Sequence, residues 1–319
     1  MTSADFHVVV RSCGERTTQS VCGLLQDFWG DCWSLIDAQP FEETLRRCYS
    51  QGIEAGMEFT VTIDADVLPT REGILELLSQ MQSAPLETFE IHGQVLDHAF
   101  QGPRQGGVRI YRTQHLPFLL NNVPGDGEQH RPEAFVVAAA TAQGLKSEIV
   151  PTVSGIHGFF QAYEDLFRNG FVLAQKYRWL LPELTELWRR LRPVDPGFRF
   201  LLLGASMSQH TDGKSLLDRS QFPKSLSQLF RLLEVEAQVE LDCITEQEVT
   251  AVLDNFEQVE EAERVEQIRS PGETGPLGPW HTFRRHGLRS LLWFSGRVLD
   301  KAAQKLMTVS RVSSDEQTG

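Results

Sequence analysis

Three short apolar runs, Phe6–Val10, Trp33–Asp37 and Phe59–Ile63, alternate with two stretches whose apolar residues recur at helical spacing. The first helix is capped by Thr17 or Thr18 and expected to reach about Phe28. In the second, Phe41 to Ala55, the residues Leu45, Cys48, Tyr49 and Ile53 form the buried stripe and Gly56 ends it. A third helix is expected after Pro69-Thr70-Arg71-Glu72-Gly73, through Met81. Strands that alternate with helices in this way are joined by crossovers, so they lie parallel. The expected fold is α/β, a doubly wound and mostly parallel sheet flanked by helices.

The Phe59 strand runs into Asp64-Ala65-Asp66. Strand side chains alternate faces, so two aspartates two residues apart are expected to project together at the strand's carboxyl end. In open α/β sheets ligands bind at that edge. Two hard oxygen donors there suit Mg²⁺ or Mn²⁺, and a cation so held can neutralise a diphosphate.

From Glu87 to Arg112 the pattern becomes strand-like pieces broken by Gly102-Pro103 and Gly106-Gly107. Arg131-Pro132-Glu133 opens an alanine-rich helix expected to run to Gln143, where Gly144 stops it. Glu148–Pro151 reads as a last short strand, Ser154–Gly158 as a glycine-flanked loop, and Phe159 to Trp188 as helical. Phe198 to Gly204 fits either a strand or a helix start. Residues 1–193 are therefore read as the main domain. Residues 194–270 form a mainly helical, acidic C-terminal extension, and 271–319 a Pro/Gly linker with a basic amphipathic tail.

Charge and cysteine usage exclude several classes. Thirty basic residues against 43 acidic ones give a net charge of −13, which argues against nucleic acid as a partner. The five cysteines (Cys13, Cys22, Cys32, Cys48, Cys243) show no Cys-x-x-Cys spacing, against a zinc site or a redox motif. An odd cysteine count with no secretory leader fits the cytoplasm. No apolar run approaches the ~20 residues of a membrane-spanning helix. The segment 280–311 carries seven Arg/Lys against Asp300 beside Leu288, Leu291, Leu292 and Leu299. It can lie on the inner face of a membrane, or pack on the body against the acidic region.

Several segments in order resemble the GT-A class of nucleotide-sugar glycosyltransferases, in particular bacterial relatives of family 2. Val8–Thr17 is similar to that family's first strand and nucleotide loop, and Asp64-Ala65-Asp66 to its Asp-x-Asp motif. Arg131-Pro132-Glu133 with the helix after it resembles the segment that carries the acceptor-side acid, although the family's Glu-Asp is Glu133-Ala134 here. The resemblance implies that Glu15 contacts the nucleotide, with Arg11 and Arg16 at the diphosphate. It implies that Asp64, Asp66 and His157 bind Mn²⁺ or Mg²⁺, and that Asp64 and Asp66 also hold the nucleotide sugar.

The implied activity is hexosyl transfer from a nucleoside-diphosphate sugar to the hydroxyl of a glycan, lipid-linked or small-molecule acceptor, in envelope or surface glycan synthesis. An inverting transfer needs a carboxylate to take the hydroxyl proton. Glu133 is the candidate and Asp97 the reserve; if stereochemistry is retained instead, no such base is required and Glu133 only binds the acceptor. Two alternatives are carried. One is a sugar-phosphate nucleotidyltransferase, although Cys13-Gly14-Glu15-Arg16 lacks that class's glycine-rich, lysine-bearing loop. The other is a non-catalytic scaffold of a glycan-assembly complex.

Overall fold

A computed structural model describes residues 5–129, 131–209 and 243–256. The linker and basic tail at 271–319 lie outside the described residues, as does most of the acidic segment. In chain order the elements are β1 (Phe6–Ser12), α1 (Thr18–Trp29), β2 (Trp33–Asp37), α2 (Phe41–Ala55), β3 (Phe59–Asp64), β4 (Val67–Pro69) and α3 (Arg71–Ser83). Then come β5 (Thr88–Asp97), β6 (Gly102–Arg112), α4 (Leu116–Asn121), α5 (Pro132–Ala142), β7 (Lys146–His157), α6 (Tyr163–Lys176), α7 (Leu181–Leu191) and α8 (Gly197–Ser208).

One seven-stranded sheet has the order β2-β1-β3-β6-β5-β7-β4. β1 pairs parallel with β2 and β3, and β5 parallel with β7. β6 runs antiparallel to both β3 and β5, and β4 antiparallel to β7. The sheet is therefore mixed, and the expectation of a mostly parallel one is corrected. The reason is local. Only the tight connection 98–101 separates β5 from β6, and a parallel pair would need a crossover of a dozen residues or more.

Side-chain alternation gives the sheet two unlike faces. Val8, Val10, Val61, Ile63, Val108 and Ile110 lie on one of them. They pack with Val21, Leu24 and Leu25 of α1 and Ile74, Leu77 and Leu78 of α3. Ile244 and Val249 complete this core from the far end of the described chain. On the other face Tyr111 packs with Leu45 and Tyr49 of α2, Leu116 and Leu119 of α4, and Val136 and Ala140 of α5. Toward the strands' ends the second face turns polar, carrying Arg11, Asp64, Arg109 and His92.

Ser154–Gly158, read above as a loop, mostly belongs to β7, which runs twelve residues to His157. The glycine has a different purpose there. A Cβ on Gly155 would stand 2.4 Å from the Leu68 carbonyl oxygen, so only glycine lets β4 pair at that point. Phe159–Trp188 divides into α6 and α7, and the ambiguous Phe198 segment is helix α8. These helices form a lobe around Leu173, Leu184, Trp188, Phe198 and Leu201. The Trp188 indole N–H donates to the Ala99 carbonyl (2.6 Å), fixing the lobe to the β5–β6 turn. α6 and α8 cross with their backbones in contact: a Cβ on Gly204 would fall 1.9 Å from the Phe167 carbonyl oxygen, and one on Gly170 2.1 Å from that of Leu201. Among the described residues no helix is long and apolar enough to cross a membrane.

Candidate active site

β3 ends at Asp64, and residues 65–66 turn into β4. The two aspartates are therefore not on one regular strand. The turn is held by hydrogen bonds from Ala65 N–H to the Arg11 carbonyl (2.8 Å) and from the Thr17 hydroxyl to the Ala65 carbonyl (2.6 Å). The Gly158 N–H donates to the Asp66 carbonyl at 3.3 Å. Asp64 and Asp66 find different partners. Asp64 is ion-paired with Arg11 Nη2 at 2.7 Å, and Asp66 lies 3.2 Å from His157 Nε2.

Asp66 opens into a pocket of about 190 Å³ at the sheet's edge, roofed by α6. The sheet side contributes Glu15, Asp66, Arg104 and His157. α6 contributes Asp165, Arg168, Asn169, Val172 and Lys176. Those five positions recur at helical spacing and share one face of α6. Its opposite face, with Phe167, Gly170, Phe171 and Ala174, is buried.

His157 is the cross-strand neighbour of Asp97. Its Nδ1 lies 2.8 Å from Asp97 Oδ2, and Nε2 faces Asp66. Burial works against charging the ring, and Arg104 opposes it too, but the two carboxylates prevail and raise its pKa to about 9. Both ring nitrogens then carry protons and donate. Asp66 is held at about 2: burial opposes ionisation, and the charge and hydrogen bond of His157, with Arg168 and Arg104, outweigh it.

Asp97 is almost fully buried and accepts from the N–H groups of Ala99 (2.8 Å) and Phe100 (3.2 Å) while paired with Arg104 and His157. Despite its burial, those cations keep it far below the usual carboxylate range. Glu15 accepts from the Ser12 hydroxyl (3.1 Å) and the Cys13 N–H (2.6 Å), closing its own loop. Burial and the charge of Asp66 push its carboxyl upward. On α6, burial and the guanidinium groups of Arg131, Arg104 and Arg168 push Lys176 down to about 8.

Arg11, Asp64 and Glu133 belong to a second cluster, outside the pocket. Glu133, in the first turn of α5, is paired with both Arg11 and Arg109, and Arg109 is also paired with Glu90. Burial would raise the Glu133 carboxyl, but the two arginines bring it to about 2. Asp64, at the rim of this cluster, is pushed up to about 6 by burial and the charges of Asp66 and Glu133, against the pull of Arg11. Arg16 is half-buried in the β1–α1 loop and does not line the pocket.

Of the predicted site residues, Glu15, Asp66 and His157 meet in one pocket, with Asp97 beneath it. Arg11, Asp64 and Glu133 meet in the neighbouring ion cluster. Asp64, Asp66 and His157 are not gathered around one point in this structure. Asp64 Oδ1 faces Arg11 Nη2, and the His157 ring nitrogens face Asp97 and Asp66. Among the described residues no group of three or more His, Cys, Asp or Glu is placed to hold a metal ion. Arg104, Arg168 and Lys176 escaped sequence reasoning. The 165, 168, 169, 172, 176 periodicity was the available signal, but it is shared by any solvated helix face.

No protein-family model and no curated protein matches this sequence. Solved structures resemble it in outline. A cytidylyltransferase from Leptospira borgpetersenii is 10% identical, with a TM-score of 0.37 over 55% of this chain and 88% of that one. Glucosyl-3-phosphoglycerate synthase from Mycobacterium tuberculosis is 14% identical, with a TM-score of 0.32 over 48% and 72%. A glycosyltransferase involved in glycosylation of the major capsid of PBCV-1 is 10% identical, with a TM-score of 0.34 over 46% and 81%. Likeness this distant transfers no function, and the chemistry has to come from the pocket itself.

Proposed function

We propose that this chain is a nucleotide-dependent transferase whose substrate phosphates enter the pocket between Asp66–His157 and α6, and that it transfers a nucleotidyl group to a phosphorylated, sugar-like acceptor. One observation carries the choice. The two carboxylates expected to serve as base, Glu133 and Asp97, are both locked to arginine and held well below the usual range. A group so acidic takes a proton from a hydroxyl poorly, which counts against the inverting form of glycosyl transfer.

Nucleotidyl transfer asks for no such base, because the attacking phosphate oxygen is already ionised at neutral pH. That oxygen bonds to the α-phosphorus of a nucleoside triphosphate, the bond from the α-phosphorus to the bridging oxygen breaks, and pyrophosphate leaves. Catalysis then consists of positioning and of stabilising spread negative charge. Arg104, Arg168 and Lys176 line the pocket for that task, and Glu15, Asp66 and Asp165 are its acidic residues.

One observation favours a second reading, glycosyl transfer from a nucleoside-diphosphate sugar. Asp64, about one-third exposed and raised to about 6, is ionised at neutral pH yet basic enough to accept a proton. The test incubates the protein with nucleoside triphosphates plus sugar 1-phosphates and, separately, with nucleoside-diphosphate sugars plus sugar acceptors. Pyrophosphate release in the first set is expected. Nucleoside diphosphate released only in the second set replaces the first reading by the second. Turnover in neither leaves a scaffold.

A further inference from the structure

Of the four cations that line the pocket, two come from the helical lobe and two, Arg104 and His157, from the sheet. Arg168 and Lys176 lie on the pocket-facing side of α6, separated by about 12 Å of helix axis, enough to reach different phosphate groups of one chain. Arg104 reaches the same space from β6, backed by its pair with Asp97. Apart from burial, the strongest influences on Lys176 are three guanidinium groups, a crowding of like charge that a polyanion relieves. The residues expected to cage a metal are meanwhile turned to Arg11 and to each other.

We propose that this pocket binds the substrate's phosphates directly through Lys176 and Arg168 of α6 and Arg104 of β6, with no divalent cation required. The proposal rests on the pocket being the phosphate site. It differs from a metal-bridged site in what removes binding: chelation leaves it intact, whereas loss of an α6 cation does not.

The test is isothermal calorimetry of the full chain with inorganic pyrophosphate and a nucleoside triphosphate, in EDTA and again in Mn²⁺. The expected result is similar affinity in both buffers, about tenfold weaker in Lys176→Met and in Arg168→Gln, and kept in Lys176→Arg. Thermal melts of each variant establish that it is folded. Binding that needs Mn²⁺, is lost in Asp66→Asn and survives in Lys176→Met overturns the proposal and leaves the pocket as the phosphate site. Absence of binding in both buffers overturns the proposal together with that assignment.

Discussion

His157 Nδ1 lies 2.8 Å from the Asp97 carboxylate, and the two residues are direct cross-strand neighbours on β7 and β5. With Asp66 on its other nitrogen, the ring is held as an imidazolium to about pH 9, against an ordinary value of 6.5. The folded chain thus binds a proton that the unfolded chain releases earlier. The resulting stabilisation is complete below pH 6.5 and is lost as pH rises through 9. Lys176 acts in the opposite sense above pH 8, so the informative quantity is a difference. Urea denaturation of wild type and His157→Gln should show a gap in unfolding free energy that narrows between pH 6.5 and 9. A gap independent of pH over that range means the ring is neutral in the fold.

Glu133→Gln separates a base from a structural anion. Removing a general base lowers turnover by about 10²–10⁴-fold. Because Glu133 is already committed to Arg11 and Arg109, the expected loss in turnover is under about tenfold at the same substrate saturation. The change should appear in stability instead, as a loss of a few kcal/mol, order of magnitude, because both arginines lose a partner. The check is steady-state kinetics beside chemical denaturation of the same preparation. A thousandfold drop in turnover with unchanged stability restores the base role.

The sequence was most legible where one face of an element is apolar. α2 has the residue limits expected from periodicity and Gly56, because burial of its helically spaced residues decides them locally, and β2 has its expected limits through its pairing with β1. It was least legible where long-range pairing decides. β6 lies between β3 and β5 because a tight turn returns it, and no periodicity states which strand it will then join. Gly155 signalled a loop in sequence, yet it is the point where β4 meets β7. The same limit applies to the site. Asp66 and His157 were found through chemistry-bearing residues near strand ends. Arg168 and Lys176 were not, because only the packing of α6 through Gly170 decides which of its faces looks into the pocket.

That packing is itself testable. A Cβ at Gly204 would stand 1.9 Å from the Phe167 carbonyl oxygen, so α6 and α8 must separate to admit alanine. Gly204→Ala should cost about 1–3 kcal/mol, despite alanine's better helix propensity. Ser206→Ala, on the exposed side of α8, should stay within about 0.5 kcal/mol of wild type. Equilibrium denaturation of both variants reads the contrast. Equal stability of the two means the helices do not cross with backbones in contact.

Lys176 gives phosphate binding a pH dependence of known sign. In the free protein burial and its guanidinium neighbours hold the amine near 8, whereas an ordinary lysine titrates at 10.5. A polyanion beside it favours the ammonium form, so above pH 8 binding takes up a proton and affinity falls as pH rises. Below that pH the amine is already charged and contributes no slope. Calorimetric titration with pyrophosphate in two buffers of different ionisation enthalpy measures the uptake directly. Lys176→Arg keeps the charge at all these pH values, so the part of the uptake that belongs to Lys176 should vanish. The ionisation of pyrophosphate itself is common to both proteins and cancels in the comparison. Identical proton uptake in wild type and Lys176→Arg would mean that the bound phosphate does not lie against Lys176.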